Sequence, residues 1–188
     1  IVLSANYYDS YNFMGINNIL DSTDTDFKPE IVENYGMQYK GGYKGLLTGT
    51  LTAQINTDGL ISSSYLYSVL YYDNRKRLIQ TKSNNHLAGG INKEYIAYDF
   101  TGQVVQRKRI HHVTGKTPQT EVYTYVYDHA GRLLTTKHQL NTNPVITIKE
   151  NIYDELGRLK ITKRNNQANL EMIYTYNIRW SKSRLFLR

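Results

Sequence analysis

The chain has 188 residues, a formal net charge of +7, no cysteine, and 18 tyrosines against four phenylalanines and three prolines. The lack of cysteine excludes a disulfide framework and thiolate metal sites. No run approaches the ~20 apolar residues of a membrane-spanning helix, and abundant tyrosine with little 3.6-residue periodicity predicts sheet rather than helix.

Charge is uneven along the chain, with a net of −4 over residues 1–70 and +11 over residues 71–188. Residues 1–64 are predicted as an N-terminal segment of strands and loops that precedes a repeat region. The opening stretch, residues 1–9, has neither an initiator Met nor a basic or long apolar leader, so the sequence reads as a fragment. Residues 21–26 form a polar, acidic stretch. Alternation of Asp24 and Asp26 suggests a calcium loop, but the Gly and bidentate Glu of a full loop are missing, and a solvated surface loop is preferred. Residues 41–45 read as a turn. The Gly45-Leu46-Leu47-Thr48-Gly49 order does not match a phosphate-binding loop. Residues 50–55 alternate as a half-buried strand, and residues 56–59 as the turn after it.

From residue 65 a unit recurs: Tyr72-Asp73 with Arg77-Leu78, Tyr98-Asp99 with Gly102 and Val104, Tyr127-Asp128 with Gly131-Arg132-Leu133, and Tyr153-Asp154 with Gly157-Arg158-Leu159. A degenerate copy begins at Tyr176-Asn177. Successive tyrosines lie 26, 29, 26 and 23 residues apart, a spacing that marks a repeat architecture. Asp-x-x-Gly fits a type I turn closed by a left-handed glycine, the three-residue hairpin loop with a G1 bulge. That register sets Tyr127 opposite Leu133 and Asp128 opposite Arg132, and it predicts Tyr–Leu pairs on one face of each hairpin and Asp–Arg pairs on the other. Lys76 replaces the turn glycine in one copy and should strain that turn or alter its type. Gln103 replaces the arginine in another. Lys82, Lys108, Lys137 and Lys163 each follow their tyrosine by ten residues, which implies one shared register. Rising strands are expected over residues 94–98, 121–127, 146–153 and 171–176, and residues 65–72, apolar on both faces, read as a strand covered on both sides.

Tyr-Asp-x-x-Gly-Arg-Leu at this spacing resembles the YD repeat of Rhs-type proteins, and the segments between motifs resemble those of gut Bacteroidetes members. The resemblance covers about residues 65–180, with residues 181–188 left as an irregular tail because the glycine expected between Arg179 and Trp180 is missing. It implies an all-β fold of repeated antiparallel β-hairpins forming a curved, extended sheet, part of an Rhs/YD-repeat shell. The implied partners are further YD repeats and a C-terminal effector of the parent chain, and the implied location is secreted or at the cell surface. The self-cleaving motif of some members has no counterpart around Pro29, Pro118 or Pro144, so no catalytic residue is carried over, and the chain is expected not to be an enzyme.

Other chemistry is thinly supported. His111 and His112 are neighbours that a strand would point to opposite faces. His86, His129 and His138 stand in ordinary loop or strand contexts, and no Gly-x-Ser-x-Gly elbow is present. The repeated aspartates are in phase with the turn glycine, which assigns them to the turns. No metal or cofactor is expected. A basic, tyrosine-rich sheet can bind single-stranded nucleic acid, but a solvated cationic face is the preferred reading. Tyr123 and Tyr125 are candidates for stacking on carbohydrate, weighed against packing within the sheet. Open sheet edges predict self-association.

Overall fold

The alternation of tyrosine, threonine and aliphatic residues resolves into strands throughout. The computed structural model describes residues 2–15, 20, 25–55, 61–165, 167–177 and 182–187. The strands are β1 (Ser4–Tyr8), β2 (Leu47–Ile55), β3 (Ile61–Tyr72), β4 (Leu78–Asn84), β5 (Ile91–Tyr98), β6 (Val104–His112), β7 (Gln119–Tyr127), β8 (Leu133–Leu140), β9 (Ile146–Tyr153), β10 (Leu159–Arg164), β11 (Gln167–Tyr176) and β12 (Lys182–Leu187), with no α-helix among the described residues. The fold class is all-β, with antiparallel hairpins in chain order. The turn expected over residues 56–59 and residues 21–24 of the acidic stretch 21–26 lie outside the described residues.

Two compact units divide the chain: Ile1–Tyr98 with Lys108–Thr120, and Asp99–Arg107 with Glu121–Arg188. In the first, β1 to β5 pair in sequence order. Its core lies on one side of β3 and β4, where Phe13, Leu20 and Phe27 of the long β1–β2 connection bury Val69, Tyr71 and Ile79. Burying each such side chain stabilises by roughly 1.5–3 kcal/mol. Gly49 on β2 leaves room for this packing, because a Cβ there would stand 2.3 Å from Phe13 Cζ. β3 is therefore covered unevenly: Val69 and Tyr71 are buried, whereas Leu66 and Leu70 on the opposite face stay half-buried.

The second unit pairs β7 through β12 in order. Its buried described residues, Thr136, Asn151 and Thr162, are all polar. Thr162 Oγ1 donates to Asn151 Oδ1 at 3.1 Å, and Asn151 Nδ2 to the Leu133 carbonyl at 2.9 Å. With so small an apolar core, the hairpins depend on contacts between neighbours. Residues 182–187, within the stretch 181–188 read from the sequence as an irregular tail, form β12 instead, because the edge of β11 supplies a backbone partner from Met172 to Tyr176, with a register shift between Thr175 and Tyr176.

Candidate functional site: a rung between successive hairpins

The turn hydrogen bonds are the same in the copies at Asp73, Asp99, Asp128 and Asp154. Gly131 N donates to the Asp128 carbonyl at 3.0 Å and Asp128 N to the Arg132 carbonyl at 3.0 Å; the corresponding bonds recur at Asp154, Asp99 and Asp73. Gly102, Gly131 and Gly157 have φ of 95°, 76° and 77°. Lys76 keeps the same turn and accepts the strain, with φ of 61°, a left-handed conformation that costs a non-glycine residue roughly 1–2 kcal/mol. Tyr72, Tyr127 and Tyr153 face Leu78, Leu133 and Leu159. One residue further on, each return strand carries a second irregularity, so Tyr71 faces Gln80 and Val126 faces Thr135. Lys82, Lys137 and Lys163 then face Val69, Thr124 and Glu150, the same position in each hairpin.

Aspartate is the hub of the turn. Asp128 Oδ1 accepts from Ala130 N and Arg132 N at 2.9 Å each, and Oδ2 from Arg132 Nε at 2.6 Å. Asp73 holds Arg75 N, Arg77 N and Arg77 Nε in the same way, and Asp154 holds Leu156 N, Arg158 N and Arg158 Nε. The Arg132 backbone N–H, joined by the guanidinium, keeps the Asp128 carboxyl below the usual carboxylate range. In the Asp99 copy, Oδ1 accepts from Thr101 Oγ1 and Gln103 N, and these bonds, the hydroxyl foremost, likewise lower its pKa.

The arginine then reaches the next repeat. Arg77 lies 4.6 Å from the ring centroid of Tyr98, Arg132 4.8 Å from that of Tyr153, and Arg158 4.9 Å from that of Tyr176. Each of these rings is fixed from its far end: Tyr98 OH donates to the Leu78 carbonyl, Tyr153 OH to Leu133 and Tyr176 OH to Leu159, at 2.9, 3.1 and 2.8 Å. Tyr127 OH donates to the Val104 carbonyl at 2.9 Å. A rung therefore consists of one repeat's Asp–Arg pair and leucine carbonyl holding the next repeat's tyrosine. The expected Tyr–Leu and Asp–Arg pairs form within three of these hairpins, and the arginine reaches in addition the tyrosine of the next repeat. The tyrosine leans back to the preceding leucine carbonyl, and that brings its ring under the guanidinium. The turn glycine has a second role as well, since a Cβ on Gly157 would stand 2.6 Å from Arg132 Nη1.

The carbonyl half of the rung, without an arginine, also occurs where sequence reading did not place it. Tyr8 faces Leu47, Asp9 N donates to the Leu46 carbonyl at 3.2 Å, Gly45 N donates to Asp9 Oδ1, and Tyr72 OH donates to the Leu47 carbonyl at 2.7 Å. Tyr8-Asp9 and Gly45-Leu46-Leu47 are thus the two halves of one repeat, with residues 10–44 inserted into its turn. The positive φ is shared differently here, at 68° on Asp9 and 80° on Gly45. Residues 1–64 therefore contain a first hairpin of the array as well as a preceding segment.

The inserted segment is clamped to the sheet through Glu30. Its backbone exchanges two hydrogen bonds with the Gln80 amide, and its carboxylate receives Lys82 Nζ, Lys93 Nζ and Tyr95 OH. Lys82, fully buried, faces Lys93 directly across β4 and β5, an arrangement that is repulsive without an anion. Asp26 adds a second carboxylate 2.8 Å from Lys93. Desolvation opposes ionisation of Glu30, but the bonds from Lys82, Lys93 and Tyr95 outweigh it and hold its pKa down at about 2. Desolvation lowers the pKa of Lys82 despite its Glu30 partner.

Tyr123 packs its ring 4.7 Å from that of His138 and is half-buried, and Tyr125 is half-buried on the same strand. His111 Nδ1 lies 2.6 Å from Asn92 Oδ1. Among the described residues no group of His, Asp and Glu is arranged to hold a metal ion, and no helix is long and apolar enough to cross a membrane.

No protein-family model matches the chain, and no curated protein matches it. Among solved structures it is similar to the crystal structure of TcdB2-TccC3-Cdc42, at 13% identity over 72% of this chain and a TM-score of 0.37. It is also similar to that of TcdB2-TccC3-TEV, at 14% identity over 79% and a TM-score of 0.38. The chain spans 8% and 9% of the length of those two.

Proposed function

We propose that this chain is a non-enzymatic structural segment of an Rhs/YD-repeat protein, a run of wall whose hairpins lock to one another and enclose or present a C-terminal effector of the parent chain, outside the cell or at its surface. The observation that carries this reading is the rung. Asp holds Arg within one hairpin, and Arg covers the tyrosine of the next at Arg77–Tyr98, Arg132–Tyr153 and Arg158–Tyr176. Within the rung, aspartate and tyrosine hydrogen-bond to backbone and aspartate to arginine. Such a site joins neighbours, and a linear array is stabilised by just such nearest-neighbour terms. The insertion in the first hairpin covers β3 and β4 with an apolar core, which the described residues of β7 to β12 lack.

Limited proteolysis of the full parent protein tests this. The reading predicts that the region downstream of the repeats resists protease while the wall is intact and becomes cleavable when Arg132 and Arg158 are both changed to Ala. Equal cleavage of that region in the two proteins would overturn it.

A further inference from the structure

The insertion in the first unit shows how one face of these hairpins is covered, and the second unit repeats that face without an insertion. Across β3, β4 and β5 the registers align Tyr71 with Gln80 and Tyr95, and Val69 with Lys82 and Lys93. The insertion lies over both rows, and all of these side chains but Lys93 belong to residues at most 1% exposed. Across β9, β10 and β11 the equivalent rows are Ile152–Ile161–Ile173 and Glu150–Lys163–Glu171. The described connections of this unit are hairpin turns, and its three isoleucines stay half-buried.

The charge on the two faces is opposite. In the first unit the sheet side is cationic, and the insertion brings Glu30 to Lys82 and Lys93. In the second, Lys163 lies 3.6 Å from Glu171, which leaves the Glu150 carboxylate without a partner among the described residues. Glu150 lines a groove of about 380 Å³ with Leu134, Thr135 and Ile152, and Thr135 Oγ1 is buried there with no hydrogen-bond partner. Asp128 and Arg132 also border the groove but are bonded to each other. Lys137, on the same face of β8 as Thr135, does not line it.

We propose that this face is a docking surface for a second polypeptide, which lays aliphatic side chains on Ile152, Ile161 and Ile173 and sets a lysine ammonium against Glu150. It is the cover of the first unit with the charge reversed: there a carboxylate of the covering segment meets a lysine of the sheet, and here a lysine of the partner meets a carboxylate of the sheet. A lysine suits the groove because its stem runs along apolar surface, here Leu134 and Ile152, while its ammonium reaches the polar end. The isoleucine row continues over β10 and β11 beyond the groove, a wider apolar strip than a small amine covers.

The test is a titration of the folded chain with acetyl-leucyl-valyl-lysyl-valyl-leucine amide, whose alternate side chains set leucine, lysine and leucine on one side when extended. Binding is followed by NMR at the Glu150 and Ile152 amides and the Ile161 and Ile173 methyl groups. Counterparts with norleucine or glutamate in place of the lysine, and methylammonium alone, serve as comparison probes. The surface predicts saturable shifts with the lysine peptide, binding about fivefold weaker with the norleucine peptide, and weaker still with the glutamate peptide. Glu150→Gln should bring the lysine peptide down to the level of the norleucine peptide and leave the latter unchanged. Methylammonium binding as tightly as the lysine peptide would assign the groove to a small amine and overturn the docking surface. Equal binding of the lysine and norleucine peptides, tighter binding of the glutamate peptide, an unchanged lysine-peptide affinity in folded Glu150→Gln, or no saturable response would each overturn it as well. Should Glu150→Gln not fold, the norleucine comparison decides alone. Because the chain is titrated by itself, the result is independent of what the repeats enclose.

Discussion

Arg132 touches two repeats at once: its Nε is 2.6 Å from Asp128 of its own turn, and its guanidinium lies 4.8 Å from the ring centroid of Tyr153 in the next. Lysine can supply the charge but not the flat face and the fixed fork. Arg132→Lys is therefore expected to cost about 0.5–1 kcal/mol, seen as a lower urea midpoint with unchanged slope.

The turn position gives opposite results in two copies. Lys76 has φ of 61° with the turn intact, so Lys76→Gly should stabilise by about 1 kcal/mol. Gly157→Ala meets both the φ of 77° and the guanidinium of Arg132, and should cost more than Gly115→Ala, where φ is 76° but no heavy atom lies within 4 Å of the added Cβ. Thermal melts of the three variants check the order.

Removing the anion from the clamp should be severe. Glu30→Gln removes the carboxylate bonded to the buried Lys82 and leaves Asp26, which pairs with Lys93, as the nearby anion; stranding a buried charge costs about 3–5 kcal/mol. Lys82→Met in the same background should recover much of the loss, measured by chemical denaturation.

The same clamp predicts acid sensitivity. Glu30 is held at about 2 in the folded chain against an ordinary 4.5, so its contribution is complete above about pH 4.5 and is lost as pH falls toward 2. The melting temperature of the native chain should fall across that window more steeply than that of Glu30→Gln, which lacks this carboxylate.

Local chemistry was legible in the sequence. Asp128, Gly131 and Leu133 lie within one motif, so a turn rule sufficed to set Tyr127 against Leu133. The contacts between motifs were not, because the distance from Arg77 to Tyr98 or from Arg158 to Tyr176 depends on loop lengths that no local rule fixes. Tyr8-Asp9 was visible as a dipeptide, but its second half, Gly45-Leu46-Leu47, lies beyond an insertion that breaks the period. A search for the motif in two separated halves would have found it. Glu30 carried no signal, since a lone glutamate in a connection is read as solvated until the buried Lys82 and Tyr95 beneath it are known.

The account rests on energetic coupling between adjacent hairpins, and a double-mutant cycle on Arg132 and Tyr153 measures it most directly. Unfolding free energies of the native chain, Arg132→Ala, Tyr153→Leu and the double variant should give a coupling of about 0.5–2 kcal/mol. A coupling indistinguishable from zero, with all four proteins folded, would contradict the claim that the rung holds one repeat to the next.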